Sequence, residues 1–133
     1  MKCLLDTHTF LWALISPDRL SETARSAITH PDNPVSVSAV TFWEIALKFR
    51  LGKLDLRGVT PEALPDAAIR QGFGLIPLDA RLAAGFASLP ALPNQRDPFD
   101  RMLIWQALSM DHVLVRRDRK IESDALPGLR VLW

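Results

Sequence analysis

Short runs of Val, Leu and Ile alternate along the chain with longer segments of helical period, the arrangement expected of βα units feeding a largely parallel sheet. Residues 2–6 predict a first strand, and Phe10, Leu11 and Leu14 then share one face of a helix beginning about His8. Ser21 is a good N-cap for a second helix. Val35-Ser36-Val37-Ser38 alternates with period two and predicts the second strand. A helix follows from about Thr41, with Trp43, Ala46, Leu47 and Leu51 as its core face, Glu44 beside that stripe and Gly52 as its stop. Thr60-Pro61 reads as N-cap and first position of a helix running to Gly72. Residues 74–78 predict a third strand, and Asp79 caps a helix bearing Leu82, Ala83 and Phe86. Pro90, Pro93 and Pro98 bracket a loop before a helix that is apolar on most of its surface, with Met102, Leu103, Ile104, Trp105, Ala107 and Leu108, and therefore central. Residues 112–115 predict a fourth strand and 129–133 a fifth, at the edge.

Length and composition narrow the class. The 133 residues suit one domain with one core, 1–133, and no linker interrupts them. Hydrophobic residues at 48% and charged residues at 23% set disorder and low complexity aside. A net charge of +1 is too small to coat nucleic acid electrostatically, so any polyanion must be held locally. Cys3 is the only cysteine, which excludes an internal disulfide or a cysteine zinc site and points to a reducing, cytoplasmic home. No stretch reads as a signal peptide or a membrane span.

With no Walker loop, dinucleotide fingerprint, HExxH or serine elbow in the chain, the candidate chemistry falls to the carboxylates. In a parallel sheet, ligands gather beyond the carboxyl ends of the strands. Asp6 ends the first strand, Glu44 lies in the first turn of the helix after the second, Asp100 opens the helix before the fourth, and Asp118 follows the fourth. Four acids at one rim repel each other unless they are protonated or neutralised by a divalent cation, and oxygen ligands suit magnesium or manganese. Such ions can hold an attacking water and the leaving oxygen of a phosphodiester. Each acid also has an ordinary structural role: Asp6 as a cap, Glu44 as the i,i+4 partner of Lys48, Asp97 and Asp100 in a Pro-opened first turn, and Asp118 as a turn residue.

Several blocks, in order, resemble the PIN-domain ribonucleases of the VapC toxin type. They are Leu4-Leu5-Asp6-Thr7-His8, the segment Ser38-Ala39-Val40-Thr41-Phe42-Trp43-Glu44-Ile45 with Lys48 and Gly52-Lys53-Leu54, Arg96-Asp97-Pro98-Phe99-Asp100-Arg101, and Leu114-Val115-Arg116-Arg117-Asp118. The resemblance implies a three-layer α/β/α domain around a central, mainly parallel sheet of four or five strands. It further implies an endoribonuclease dependent on Mg2+ or Mn2+, the toxin of a type II pair, with an antitoxin that binds and silences it. The family's acidic site falls on Asp6, Glu44, Asp100 and Asp118 as metal ligands and catalytic groups. Asp97, Thr7 and Ser38 rank as supporting residues.

Two positions depart from the family's pattern. Gln95 stands where histidine is common, and Arg116 replaces a threonine or serine two residues before the last acid. A guanidinium turned inward would oppose metal binding; turned outward, Arg116 would hold RNA phosphate together with Arg117, Arg119 and Lys120. The competing reading is a binding-only member of the fold, regulating through RNA or a protein partner. An aspartyl-phosphate enzyme is disfavoured because His8 stands where a second acid is needed. Phe10, Leu11 and Trp12 are the expected apolar surface for a homodimer or an antitoxin segment, while three of the four tryptophans read as core.

Overall fold

A computed structural model describes residues 1–92, 94–117 and 126–133. Its sheet is wholly parallel: β1 (Cys3–Leu5), β2 (Val35–Ser38), β3 (Gly74–Ile76), β4 (Val113–Val115) and β5 (Arg130–Leu132) stand in the order β3-β2-β1-β4-β5. Every strand therefore points its carboxyl end to the same rim, and β1 lies in the middle. The helices are α1 (Thr7–Ile15), α2 (Glu22–Thr29), α3 (Ala39–Arg50), α4 (Leu64–Arg70), α5 (Ala80–Gly85) and α6 (Pro98–Ser109).

Alternation along β1 builds the three layers. Cys3 and Leu5 pack with Phe10, Leu11, Ala24, Leu64 and Ala68 on one side, and Leu4 packs with Leu103, Ile104 and Ala107 of α6 on the other. All three strand residues are fully buried, as a central parallel strand requires. The anticipated caps are present: Ser21 accepts from Ala24 N at 3.0 Å and Asp79 from Leu82 N at 2.8 Å. Gly52 follows α3 with φ +71°, a conformation that suits a glycine stop. The helix expected from Pro61 is two pieces, a single 3-10 turn over Pro61–Ala63 and then α4, because Pro65 enters its first turn. The helix after Asp79 ends at Gly85, and Phe86 belongs to the 3-10 turn that follows.

Two expectations are overturned. The inner face of α3 is Val40, Thr41, Glu44 and Ile45, whereas Trp43 is 63% exposed and Leu47 and Leu51 are exposed with it. The apolar stripe was the wrong guide because Thr41 and Glu44 are hydrogen-bonded and can be buried, which turns the helix by about one residue's 100°. Trp43 instead meets the edge of Phe99, with ring centroids 5.1 Å apart. Phe10 and Leu11 are core residues and offer no partner surface; the large exposed apolar side chains of this region are Trp43, Leu47, Phe49 and Leu51.

Candidate active site

The rim above β1 is assembled from the first residues of three helices and the last residues of two strands. Asp6 leaves β1 and caps α1, its Oδ1 accepting from Thr9 N at 2.9 Å, while its own N–H donates to Val115 O at 3.1 Å. That bond seats Asp6 beside the end of β4, where Leu5 is paired with Val115 and Arg116 comes next. Asp6 is only 8% exposed, and loss of water pushes its carboxyl above the ordinary range, against the opposing pull of the Thr9 hydrogen bonds and the charges of Arg116 and His8.

Thr7 carries the site across to α3. Its hydroxyl donates to Glu44 Oε1 at 2.5 Å, so the 3.3 Å contact with Thr41 Oγ1 has Thr41 as donor. The other oxygen of Glu44 pairs with Lys48 one turn on. Glu44 is 2% exposed, and its buried charge is met by a hydroxyl and an ammonium rather than left alone. Burial would lower the Lys48 ammonium, but its bond to Glu44 and the charges of Glu44, Asp97 and Asp100 outweigh that and raise it.

Asp97 opens α6 as an N-cap, accepting from Phe99 N at 2.8 Å and Asp100 N at 3.4 Å. This is the capping role the sequence allowed, and it leaves Asp100 in the first turn, directed at the cluster. The Asp100 carboxyl is pushed up to about 6. Loss of water is the largest cause; Arg116 opposes it, and Asp97, Glu44 and Asp6 add to the rise. Asp100 thus lies within electrostatic reach of Asp6, Glu44, Asp97 and Arg116, and Lys48 within reach of Glu44, Asp97 and Asp100.

Ser38 sits one layer below. Its Oγ accepts from Val40 N at 3.0 Å, capping α3, and donates to Gln106 Oε1 in α6. Gln106 Nε2 reaches Pro77 O at 3.4 Å, so one fully buried amide joins α6 to the ends of β2 and β3. The Glu44–Lys48 pair is the one the spacing offered, whereas Thr41 and Gln106 are supporting residues that the sequence reading gave no role. The signal for Thr41 was spacing, since it and Lys48 flank Glu44 at i−3 and i+4 on one helical face.

Arg117 is exposed and lies over the Trp12 ring, 6.0 Å from its centroid. Asp118, Arg119 and Lys120 lie outside the described residues. Among the described residues, no three His, Cys, Asp or Glu side chains stand close enough together to hold a metal ion as they are.

Arg116 is turned inward. It is 3% exposed, its Nη2 donates to Gln95 Oε1 at 3.4 Å, and its charge acts on both Asp6 and Asp100. A surface contact with passing RNA, the outward alternative, is not what the fold makes of it, because the side chain is enclosed by the rim.

A family model of the PIN domain matches residues 3–124, nearly the whole chain and every element that forms the rim. The chain belongs to the PIN-domain family. Ribonuclease VapC22 of Mycobacterium tuberculosis (strain ATCC 25618 / H37Rv) is 29% identical over 131 residues, 98% of this chain and 97% of that protein. Among solved structures, VapBC2 from Rickettsia felis bound to a DNA fragment from their promoter superposes with a TM-score of 0.67 at 15% identity, covering 99% of this chain and 98% of that one. VapBC-1 from nontypeable Haemophilus influenzae gives 0.68 at 16% identity, covering 99% and 97%. At such identities these two show the likeness of fold alone.

The donor set of this PIN domain fits a hard divalent cation. Burial resists the ionisation of Asp6 and of Asp100, and at Asp100 the neighbouring acids add to it, a cost that a cation relieves. Glu44 is already engaged by Thr7 and Lys48, so it fits as a supporting acceptor before it fits as a ligand.

Proposed function

We propose that this chain is a divalent-metal-dependent endoribonuclease, the toxin of a toxin-antitoxin pair, that hydrolyses RNA phosphodiester bonds at the rim above β1. The observation that carries the reading is that buried Asp6 and Glu44 and half-buried Asp100, from three separate elements at the carboxyl ends of the strands, stand near enough for the first two to raise the Asp100 carboxyl. Its likeness to Ribonuclease VapC22 over the full chain supports RNA as the substrate, and its likeness to VapBC structures supports an antitoxin partner and self-association. Divalent-metal dependence is general among PIN-domain nucleases of this kind. Mg2+ or Mn2+ is proposed here because the donors are all oxygens.

Asp6, Asp100 and Asp118 would hold the ion, which when bound supplies charge for an attacking water and for the leaving oxygen. The chain's own groups do the rest. The α1 cap fixes Asp6 in one orientation. Thr7 and Lys48 hold the Glu44 carboxyl in one orientation, so that it orders the hydrogen bonds of the pocket. Arg116 and Lys48 offset the acids and let an anionic backbone approach. Arg117, exposed over Trp12, is proposed to hold a flanking phosphate, and Arg119 and Lys120 to extend that basic run.

Asp6→Asn and Asp118→Asn, purified and shown to be folded, are expected to lose metal-dependent RNA cleavage. Unchanged cleavage in either would defeat the assignment. The second reading, a PIN-fold regulator without catalysis, is favoured by the inward Arg116 and by the lack of a ready triad of ligands among the described residues. Manganese calorimetry separates the two, since a regulator of that kind shows no saturable binding.

A further inference from the structure

A cavity of about 250 Å3 lies between α1 and the loop that follows α3, lined by His8, Trp12, Arg19, Leu54, Asp55 and Arg57 among others. His8 and Trp12 are one turn apart on α1, and their ring centroids are 5.8 Å from each other. His8 is exposed and Trp12 half-buried. His8 ties the cavity to the acids, since it follows Thr7 directly and stands within electrostatic reach of Asp6. Trp12 lies five residues beyond Thr7, about 7.5 Å along the helix axis. Arg117, two residues past the end of β4, has its guanidinium over the Trp12 ring.

The loop holds Arg57 in a backbone conformation that suits other residues better. Val59 N donates to Leu56 O at 3.2 Å, with Arg57 at φ +53° and Gly58 at φ +87° between them. A tight turn that is left-handed at both central residues favours Asn, Asp or Gly at the first of them. Arg57 stands there nonetheless, its N–H bonded to Asp55 Oδ1 at 2.9 Å. Strain kept at the wall of a cavity points to a use for the side chain that causes it.

Aromatic rings beside guanidinium groups are what an unpaired base and its phosphate require, because the base stacks on a ring while arginine meets the phosphate oxygens. A docked peptide helix asks instead for a long apolar groove, and this cavity is short and mixed in character. With a net charge of only +1, the chain has no general pull on a polyanion and must hold RNA at local features. We propose that the cavity receives one unpaired base of the RNA strand, stacked on Trp12 and flanked by His8, with Arg57 and Arg117 on the neighbouring phosphates. The inference rests on the RNA-cleaving reading above and adds to it the place where a base, rather than the backbone, is held. It requires no metal ion.

Fluorescence anisotropy on the full chain in metal-free buffer tests it with two labelled probes, a short unstructured RNA and a chain of equal length that carries ribose and phosphate but no bases. The natural protein is expected to bind the RNA more tightly. Trp12→Ala should weaken RNA binding by about fivefold or more, the loss of one stacked base, and leave the base-free chain bound as before. Trp12→Phe should restore most of the affinity. His8→Ala should shift RNA binding in the same direction and again spare the base-free chain. Arg57→Asn, which suits the turn and removes the guanidinium, should weaken both probes. Equal binding of the two probes by the natural protein, or RNA affinity unaltered by Trp12→Ala and His8→Ala, would overturn the base pocket and leave the cavity to a protein segment. Mn2+-dependent cleavage by the natural protein, followed in parallel, would then keep the RNA-cleaving reading standing. No RNA binding by the natural protein also overturns the pocket, and absence of cleavage besides removes both readings. If circular dichroism shows Trp12→Ala unfolded, His8→Ala and Arg57→Asn decide, since both positions are exposed.

Discussion

Thr7 holds Glu44 by a 2.5 Å hydrogen bond across 37 positions of sequence, joining the first turn of α1 to the buried face of α3. One hydroxyl thereby ties the strand that carries Asp6 to the helix that carries the second acid. A hydrogen bond to a buried charge stabilises by about 1.5–3 kcal/mol.

Thr7→Val keeps the shape of the side chain and removes the donor. It is expected to destabilise the fold by about 1–3 kcal/mol in urea denaturation, because Glu44 is left short of a partner. RNA cleavage at saturating metal should fall by roughly tenfold or more, and Thr7→Ser should restore most of it. Full activity in a folded Thr7→Val protein would dissociate Glu44 from the site.

Asp100 gives the pH dependence. Its carboxyl rises from 3.8 to about 6 on folding, so the folded state binds the proton more tightly than the unfolded chain does. The associated stability is fully present below about pH 4 and is lost as pH rises through 6. In metal-free buffer Asp100→Asn is therefore expected to match the natural chain near pH 3.5 and to exceed it at pH 8. The gain should be about 1–2 kcal/mol, less than the full shift implies because part of the carboxyl remains in water. Excess Mn2+ should reverse the order at pH 8, since only the natural chain gains the full binding energy. Denaturant curves at the two pH values, with and without metal, check the sign.

The rotation of α3 predicts opposite costs for neighbouring apolar residues. Ile45→Ala should cost about 2–5 kcal/mol, as a fully buried side chain does. Leu47→Lys and Leu51→Lys should each stay within about 0.5 kcal/mol, because these side chains already face water. Equal losses at the three positions would contradict the observed face.

Much of this was readable before any coordinates. Strand positions followed from short apolar runs of Val, Leu and Ile, and caps at Ser21, Asp79 and Asp97 followed from local hydrogen-bond chemistry that needs no partner from elsewhere. The acids Asp6, Glu44 and Asp100 were placed at one rim by the order of elements alone, and the fold does bring Asp6 and Glu44 within reach of Asp100. The face of α3 was not readable, because periodicity counts apolar side chains and cannot see that Glu44 will find Thr7, far away in sequence. The inward turn of Arg116 was left open for the same reason: its direction depends on Gln95 and Asp6, which no local pattern connects to it. The Ser38 to Gln106 link spans 68 positions and was equally invisible.

The place of β1 has a consequence for the making of the protein. Its neighbour β4 begins only at Val113, 110 positions after Cys3, so the wall that seats Asp6 comes from a distant part of the chain. A ribosome-bound fragment ending before that strand carries Asp6, Thr7, Glu44 and Asp100 but neither the backbone acceptor at Val115 nor the guanidinium beside it. The rim above β1 is thus formed only once β4 is in place.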